Sequence, residues 1–310
     1  MGGPFVDWVL EFDRGVGERL PDLCLMNDEP MGRHTSFRIG GPARRMAFPR
    51  SVAELRTLLE VARVCSAEVL VIGNGTNLLA PDEGLDRLVI DLSQGLNRVE
   101  CGAEPGTVLA EAGASLARAA DFACKQGLTG LEFAHGIPGT VGGGVCMNAG
   151  AYGGEIRQVL DGAAVLFPGG EPQVLPPKVL RLSYRHSLLT ERPEGVVLYA
   201  VFRLSPGDPE VIRANMRELM ERRKATQPLE WPSAGSTFKR PEGYFAGTLI
   251  DQCGLKGLTI GGAQVSEKHA GFLINRGGAT SADMKALIAE VQKRVYAEKG
   301  VHLEPEVRIL

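Results

Sequence analysis

The sequence predicts an α+β fold divided into more than one domain. Its 310 residues are enough for two or three domains of typical size. Helical and strand patterns alternate up to about residue 92, which is typical of an α/β unit. Strand-like runs separated by glycine and proline turns follow, namely GAAVLF, PQVLP and VVLYAVFRL, and these favour an antiparallel sheet. The stretch SPGDP at 205–209 then fits a domain boundary.

The first unit is predicted from two helices and two strands. Ser51 and Glu54 form a capping box ahead of an apolar stripe with a helical period. The apolar runs EVLVIG at 68–73 and DRLVIDL at 86–92 predict short buried strands. A second helix is predicted over 115–127, with Gly127 just past its end.

The C-terminal part is predicted to hold two helices and a final strand. Asp208 is the expected N-cap of the first helix, with Pro209 at its first position. The second is expected to begin at Thr280 and to end before Gly300. The final run VHLEPEVRIL alternates apolar and charged residues, which predicts a strand. Its charged face is either exposed to solvent or aimed into a site.

Composition excludes several classes of function. A net charge of −3 without a long basic run argues against nucleic acid as the main partner. The six cysteines contain no C-x-x-C pair, so neither a zinc nor an iron–sulfur site is expected. We expect the cysteines to be reduced thiols in a cytoplasmic protein. The opening stretch MGGPFVDWVLEFDRG lacks an apolar signal core, and no apolar run is long enough to span a membrane.

Two glycine-rich segments indicate a nucleotide-like ligand. VIGNGTNLLA at 71–80 follows a strand with a Gly-x-Gly turn, but it lacks the third glycine and the following helix of a dinucleotide fingerprint. It is either an ordinary turn or a nest of backbone N–H groups for a pyrophosphate. The segment 130–155 is denser in glycine, which permits close approach of backbone to a flat or phosphorylated ligand. A large dinucleotide such as FAD would occupy both.

Two further residues have more than one interpretation on sequence alone. Ser236 stands between Gly235 and Thr237 in a proline-bounded loop, where serine is usually a turn residue. Arg185 interrupts an apolar run, either as a surface residue with a packed stem or as a carboxylate clamp.

A set of short motifs in a fixed order resembles one flavoenzyme family. The motifs are TSFRIGGPA, GNGTNLL, GIPGTVGG, MNAGAYGGE, YRHS, SAGSTFKRP and EPEVRIL. Together they resemble the UDP-N-acetylenolpyruvoylglucosamine reductases of peptidoglycan synthesis. The resemblance extends from about residue 30 to the C-terminus. Each motif alone is modest, whereas the full ordered set is specific.

The resemblance implies a two-step reduction. NADPH reduces non-covalently bound FAD, and the flavin passes the hydride to the enolpyruvyl group of the UDP-sugar, giving UDP-N-acetylmuramate. Ser236 matches the family's proton donor, which would meet the need for a proton after hydride addition. Arg185 matches the residue that holds the substrate carboxylate, and Glu306 matches the catalytic glutamate. Glu304 shares the charged face of the final strand, and only the motif selects Glu306.

The implied cofactor and substrate contacts follow the same motifs. The expected FAD-binding residues are Arg38, Gly73, Asn74, Gly75, Thr76, Asn77, Leu78, Gly136, Ile137, Gly139, Thr140, Gly143 and Asn148. The expected substrate contacts are Tyr152, Lys224, Lys239 and His269. For Lys224 a UDP-phosphate contact and simple helix-dipole complementarity are equally supported.

The resemblance also implies a three-part fold. An FAD-binding α/β subdomain is expected at 1–79 and a second FAD-binding α+β subdomain at 80–205, as in the vanillyl-alcohol-oxidase-like module. A substrate-binding domain at 206–310 would return its final strand to the flavin. No oligomeric state is implied. His34 replaces the family's usual asparagine, and the 51 positions between Arg185 and Ser236 match the shorter branch, which lacks a tyrosine-bearing insertion.

Two other functions fit parts of the sequence. One is another oxidoreductase of the same FAD-binding fold, in which His135 or Cys146 tethers the flavin covalently. The other is a non-catalytic flavin- or nucleotide-sugar-binding module. The joint presence of Arg185, Ser236 and Glu306 disfavours the module, because binding alone needs no proton donor.

Overall fold

The computed structural model describes residues 7–310 and has the mixed helix and strand content expected of an α+β protein. The first six residues of the N-terminal stretch, and of the predicted first subdomain, lie outside the described residues. Within residues 7–310, no helix combines the length and apolar character needed to cross a membrane. All six cysteines fall in this range, and none of them is in a disulfide.

The helices are spread along the whole described chain. They are α1 Trp8–Arg19, α2 Val52–Val64, α3 Leu116–Lys125, α4 Val141–Cys146, α5 Pro177–Leu180, α6 Leu188–Glu191, α7 Pro209–Thr226, α8 Ala246–Gln252 and α9 Ser281–Lys299. Short 3₁₀ turns occur at Met31–Arg33, Glu132–Ala134 and Ile156–Gln158.

The strands are mostly short. They are β1 Cys24–Pro30, β2 Pro42–Phe48, β3 Val69–Ile72, β4 Leu78–Leu79, β5 Leu85–Asp91, β6 Val99–Cys101, β7 Thr107–Glu111, β8 Leu128–Thr129, β9 Gly150–Ala151, β10 Gly154–Glu155, β11 Leu160–Leu166, β12 Gln173–Leu175, β13 Val196–Arg203, β14 Ser205–Pro206, β15 Thr259–Ile260, β16 Ala263–Val265, β17 Leu273–Asn275 and β18 Arg308–Ile309.

The chain forms two compact units, each built from separate stretches of sequence. Unit 1 comprises the residues up to Asp28 together with Arg44–Asn74 and Asp86–Met220. Unit 2 comprises Glu29–Ala43, Gly75–Leu85 and Glu221–Leu310. The two units are defined by how compactly their residues pack together. The division into three successive domains stays a prediction.

Unit 1 holds the larger sheets. One sheet, mainly within this unit, has the order β1-β2-β5-β3, and the other has the order β12-β11-β13-β7-β6. Every pairing in the five-stranded sheet is antiparallel, which confirms the prediction for GAAVLF, PQVLP and VVLYAVFRL. The strand predicted at 68–73 also forms, but Val69 is 37% exposed because β3 lies at the sheet edge, so its predicted burial is wrong.

Unit 2 packs a small sheet, β15-β16-β17, against helix α9. Its apolar core includes Phe37 and Phe238, both almost completely buried, together with Leu79, Leu287 and Val291. Residues from the start, middle and end of the sequence thus share one core. Apolar burial is the main force that holds such separated segments together.

The predicted helix ends are largely confirmed. Thr280 and Asp283 form a reciprocal capping box at α9, and Gly300 ends that helix in the left-handed conformation. At α2 only half of the predicted box forms. Ser51 Oγ accepts the Glu54 N–H at 3.1 Å, whereas the Glu54 carboxylate accepts the Arg50 N–H at 2.7 Å instead of bonding back to Ser51.

The final ten residues do not form the continuous strand that their alternation predicts. Leu303 and Val307 are buried and Glu304 is exposed, but Ile309 is 45% exposed, so the alternation is confirmed only in part. The strand is limited to β18, with an isolated bridge between Pro305 and Phe238. Proline has no N–H to donate and interrupts a ladder. We refer below to residues 304–310 as the C-terminal segment.

Gly75 is the position where unit 2 most clearly requires glycine. Its φ is +57°, and a Cβ built there would overlap the carbonyl oxygen of His34. Gly254 also has a positive φ, +64°, but nothing lies within 4 Å of its Cβ position. Comparing substitutions at Gly75 and Gly254 therefore distinguishes the cost of the backbone conformation from the cost of steric crowding.

We expect Gly254→Ala to lower the free energy of unfolding by about 1–2 kcal/mol, the cost of a left-handed alanine. Gly75→Ala should cost about 1–3 kcal/mol more, because the added methyl overpacks against backbone. Urea unfolding of both apo-proteins measures the difference. Equal losses would show that the contact between Gly75 and His34 is not tight.

Candidate active site

The loop around Ser236 is held by its two buried neighbours. Thr237 Oγ1 accepts the Leu273 N–H at 3.2 Å, and the Thr237 N–H donates to the Gly271 carbonyl at 2.9 Å. Phe238 is 1% exposed and anchors the loop in the unit 2 core. Ser236 itself is half-buried, and its hydroxyl donates to the Phe238 carbonyl at 3.3 Å. The serine is thus presented from a rigid base.

The C-terminal segment runs antiparallel to this loop and brings Glu306 beside it. The Lys239 N–H donates to the Glu304 carbonyl and the Glu306 N–H donates to the Thr237 carbonyl, both at 2.8 Å. Glu306 is half-buried, whereas Glu304 is exposed and pairs with the Lys239 ammonium. The two glutamates that periodicity leaves equivalent therefore have different environments.

The same segment continues to the predicted flavin loop. Asn77 Nδ2 donates to the Glu306 carbonyl at 3.1 Å, and the Arg308 N–H donates to the Asn77 carbonyl at 3.0 Å. Strands β4 and β18 then pair in parallel, with Leu78 opposite Arg308. One short stretch of chain thus connects the Ser236 loop, Glu306 and residues 77–79.

His269 lies close to Ser236 through Gly271. A Cβ on Gly271 would be 3.2 Å from His269 Nδ1 and 3.4 Å from Ser236 Oγ. His269 Nδ1 accepts the Gly271 N–H at 3.1 Å, and burial lowers the pKa of His269. In the neutral ring, the proton therefore resides on Nε2, which makes that atom a donor.

Segment 34–41 of unit 2 contacts the predicted flavin loop at Gly75. The Ser36 N–H donates to the Gly75 carbonyl at 3.2 Å. Ser36 Oγ is buried and has no hydrogen-bond partner within residues 7–310. Arg38 is exposed and has a φ of +56°. Nothing in the sequence distinguishes Ser36 within the TSF motif, because a buried hydroxyl without a partner becomes apparent only in the folded chain.

In unit 1, two predicted flavin segments lie against each other. Asn74 Nδ2 donates to the Pro138 carbonyl at 2.7 Å, and a Cβ on Gly73 would overlap Thr140 Oγ1. Thr140 caps α4, the short helix that holds Gly143. This helix has no recognisable sequence signal, because glycine is a poor helix former.

Some glycines of the 130–155 segment are required by packing within unit 1 and not by a ligand. A Cβ on Gly142 would be 3.0 Å from the Ala112 Cβ, and one on Gly144 would be 3.1 Å from Leu116 Cδ1. These two glycines permit close packing of α4 within unit 1. Gly143 is exposed, and a Cβ there would meet only Thr140 Oγ1, at 3.6 Å.

Arg185 lies in a tight four-residue turn of unit 1. Ser183 and His186 exchange backbone hydrogen bonds at 3.1 Å, and Arg185 has a φ of +53°. Its guanidinium carbon is 5.3 Å from the centroid of the Tyr184 ring, a cation–π distance. The buried side chain of Asn148 contacts this turn by donating to the Ser183 carbonyl at 3.0 Å.

The remaining predicted substrate residues lie at exposed positions. Tyr152 occupies the two-residue turn between β9 and β10, with Gly153 beside it, and both have positive φ, as in a type I′ hairpin. Lys224 lies in the last turn of α7 and pairs with Glu221 at 2.8 Å. Its carbonyl accepts the Lys268 ammonium at 2.6 Å.

The predicted residues therefore form one group in unit 2 and two separate contacts in unit 1. Unit 2 brings together Ser236, Glu306, Lys239, His269 and Asn77. In unit 1, Asn74 contacts the Thr140 segment, and Asn148 contacts the turn that carries Arg185.

Two protein-family models match the chain. An FAD binding domain matches residues 43–175, and the C-terminal domain of UDP-N-acetylenolpyruvoylglucosamine reductase matches residues 227–310. These matches confirm the predicted fold class, an FAD-binding module followed by an α+β C-terminal domain.

Relatives resemble the chain along nearly its whole length. The UDP-N-acetylenolpyruvoylglucosamine reductase of Agathobacter rectalis is 50% identical, over 96% of this chain and 98% of the relative. That of Caldanaerobacter subterraneus subsp. tengcongensis is 49% identical, over 94% and 96%. The crystal structure of UDP-N-acetylenolpyruvylglucosamine reductase from Thermus caldophilus has a TM-score of 0.78 at 35% identity and covers 93% of this chain and 98% of that one.

We expect His269 to titrate below its ordinary pKa of 6.5 in the folded protein. A lowered pKa means that the folded state binds this proton less readily than the unfolded state. The contribution of His269 to stability is therefore full above about pH 6.5 and is lost as the pH falls below it. Imidazole resonances followed by NMR against pH measure this, with the urea-unfolded chain as control. A folded pKa at or above the unfolded one would contradict the burial of the ring.

Proposed function

Because the chain belongs to the UDP-N-acetylenolpyruvoylglucosamine reductase family, we propose that it makes UDP-N-acetylmuramate. The substrate is UDP-N-acetyl-3-O-(1-carboxyvinyl)-glucosamine, and the product is a precursor of the peptidoglycan that cell shape and division require. The enzyme is an FAD-dependent oxidoreductase with NADPH as hydride donor. The pairing of the Ser236 loop with the C-terminal segment, which places Glu306 beside Ser236, is the observation that best supports this chemistry.

Residues of unit 2 fit an FAD. Ser36 Oγ is a buried hydroxyl without a hydrogen-bond partner in the described chain, beside a loop whose Gly75 leaves no room for a side chain. When bound, FAD accepts a hydride from NADPH and delivers it to the vinyl carbon of the substrate. We propose that the flavin is held non-covalently by the residues predicted from the motifs other than Asn148, whose side-chain amide is used within unit 1, and that Ser36 adds a further contact.

Ser236 is proposed to donate the proton that completes the reduction. Hydride addition at the vinyl carbon leaves negative charge on the neighbouring carbon and its carboxylate, where a proton must arrive. The Ser236 hydroxyl donates to the Phe238 carbonyl in a long bond of 3.3 Å, so turning toward substrate costs little. Glu306 is proposed to hydrogen-bond the enolic intermediate or to pass a proton onward.

Arg185 is proposed to hold the substrate carboxylate. A guanidinium is charged at every working pH and matches a carboxylate with two parallel N–H donors. The Tyr184 ring beneath it limits the orientations that the guanidinium samples.

The proposed UDP-sugar contacts differ in whether an existing ion pair must break before substrate binds. His269 is available as a neutral Nε2 donor. Lys239 pairs with Glu304, which is 69% exposed, so an incoming phosphate competes with a weak surface ion pair. Lys224 likewise pairs with the exposed Glu221. Tyr152, at the tip of its hairpin, is proposed to cover the substrate in place of the inserted loop that the shorter branch lacks.

We also propose that the three-part division at residues 79 and 205 describes the domains, and that the enzyme acts in the cytoplasm. The main competing function is an oxidoreductase of the same FAD-binding fold with covalent flavin. Its candidate tethers are His135, whose Nδ1 is 3.3 Å from Asp121 Oδ1, and Cys146. Flavin that stays with the denatured protein would favour that competitor, whereas release of all flavin supports the proposal.

Ser236→Ala should separate the two half-reactions. Reduction by NADPH needs no substrate proton, so bleaching of the flavin should proceed at close to the wild-type rate. Reoxidation by the enolpyruvyl substrate should slow by about 10²–10⁴-fold, the usual contribution of general acid catalysis. Stopped-flow absorbance at the flavin band measures both halves in one preparation.

Ser236→Cys is the matched control, because a thiol still delivers a proton and should recover part of the loss. Equal slowing of both half-reactions by Ser236→Ala would mean that the serine shapes the flavin site. Unchanged reoxidation would return Ser236 to an ordinary turn residue.

Arg185→Lys should lose much of the reoxidation rate although the charge is kept. Lysine replaces a planar, two-point donor by a single ammonium, so we expect a loss of at least about 10-fold, the equivalent of one charge-assisted hydrogen bond. The same stopped-flow assay measures it. Near-normal turnover would show that Arg185 does not clamp the carboxylate.

A further inference from the structure

The turn that carries Arg185 is fixed at both ends to one stretch of unit 1, residues 146–148, in which Asn148 is buried. Ser183, at the start of the turn, accepts from Asn148, and Ser187, just after it, donates to Cys146. Residues 146–148 directly follow α4. The turn is therefore tied to the end of the glycine-rich helix and does not move as a free surface loop.

Asn148 is the first anchor, and its amide is used almost completely inside unit 1. It is 1% exposed. Both Nδ2 hydrogens are engaged, with the Ser183 carbonyl at 3.0 Å and with Glu155 Oε2 at 2.8 Å. Asn148 Oδ1 accepts the Arg157 N–H at 2.9 Å. Since an amide has only two N–H donors, neither remains for a ligand.

Ser187 is the second anchor and is 0% exposed. Its hydroxyl donates to the Cys146 carbonyl at 2.7 Å and accepts the Leu189 N–H at 3.1 Å. Ser187 thereby caps α6 and fixes the residue two positions after Arg185. Only residues 184–186 lie between the two fixed positions, Ser183 and Ser187, which leaves the backbone of Arg185 little freedom.

We infer that Asn148, together with Ser187, is a positioning residue that holds Arg185 in the orientation that takes the substrate carboxylate. This inference rests on the proposed function of Arg185. Buried and fully paired polar groups resist displacement, because an amide that loses its partners while buried costs about 1–3 kcal/mol. A long side chain on an exposed turn depends on its backbone for direction, and small misplacements of a substrate-binding group reduce rates strongly.

The inference differs from the prediction that Asn148 binds FAD. A flavin ligand would affect cofactor affinity and reduction by NADPH. A positioning residue for Arg185 would affect only the reaction with the enolpyruvyl substrate. The two roles therefore predict opposite outcomes in the two half-reactions.

Asn148→Gly is the sharpest variant. Asn148 has a φ of +42°, which glycine adopts readily, so the change removes three hydrogen bonds without adding backbone strain. We expect reoxidation by substrate to slow roughly 10–100-fold, as for a substrate-positioning error of about 1 Å. The dissociation constant for FAD and the rate of bleaching by NADPH should change less than about 3-fold, below the loss expected for even one ligand hydrogen bond.

Two further variants keep the test sound. Ser187→Ala should slow reoxidation in the same selective way, and it carries the test if Asn148→Gly does not fold. Asn97→Gly is the matched control, because it likewise removes two bonds donated by a side-chain amide in unit 1, to the Ser93 and Gln94 carbonyls, and one accepted from Arg118. Asn97→Gly should leave both half-reactions unchanged.

A double-mutant cycle with Arg185→Ala decides whether the anchors act through Arg185. If they do, Asn148→Gly adds little further loss once Arg185 is absent. If Arg185→Ala slows reoxidation and Asn148→Gly adds its full loss, the inference is overturned while the clamp stands. If Arg185→Ala leaves reoxidation unchanged, the clamp itself fails and the inference fails with it. Weaker FAD binding with normal reoxidation would identify Asn148 as a flavin contact instead.

Discussion

The C-terminal segment changes its hydrogen-bonding partner between Glu306 and Arg308, and the organisation of unit 2 depends on this change. Up to Glu306 it pairs with the Ser236 loop, and from Arg308 onward it pairs with residues 77–79. Val307, which is buried, lies between the two sets of bonds. Because both sets of bonds belong to one short stretch of chain, the proposed proton donor, the glutamate and part of the flavin loop have fixed relative positions.

In unit 1, buried polar side chains hold predicted site residues in place. Its key positions lie in turns with positive φ, at Arg185, Asn148 and Tyr152, and buried polar groups hold two of them. A residue in this conformation is uncommon unless its surroundings enforce it. Asn148 and Ser187 supply that enforcement for the Arg185 turn, and they do so with neutral groups that add no charge near the proposed carboxylate clamp.

Sequence patterns identified helices α2, α3, α7 and α9 and strands β3, β5, β11, β12 and β13, because these carry local signals. Thr280, Asp283 and Gly300 mark the ends of α9, and the alternating runs of the antiparallel sheet carry their own period. The motif order also pointed to Ser236 and Glu306, which the structure brings together within unit 2. By contrast, the alternation of the final ten residues wrongly predicted one continuous strand. The sequence does not show that this stretch pairs first with the Ser236 loop and then with residues 77–79.

Other features were beyond prediction because they depend on distant neighbours. Glycines 142 and 144 pack against Ala112 and Leu116, yet in the sequence they resemble ligand-binding glycines. Asn148 belongs to a motif, but its bonds to Ser183 and Glu155 exist only in the folded chain. The assembly of unit 2 from three separate stretches likewise follows from long-range packing.

Native-state hydrogen exchange at Lys239, Glu306 and Arg308 tests the central role of the C-terminal segment most directly. These three amides donate to Glu304, Thr237 and Asn77, and so report on both sets of bonds. If one segment fixes the Ser236 loop and the flavin loop together, the three amides should be protected and should open with the same free energy and the same denaturant dependence. Rapid exchange at Arg308 with protection retained at Lys239 and Glu306 would contradict the account, because the flavin loop would then move independently of the proton donor.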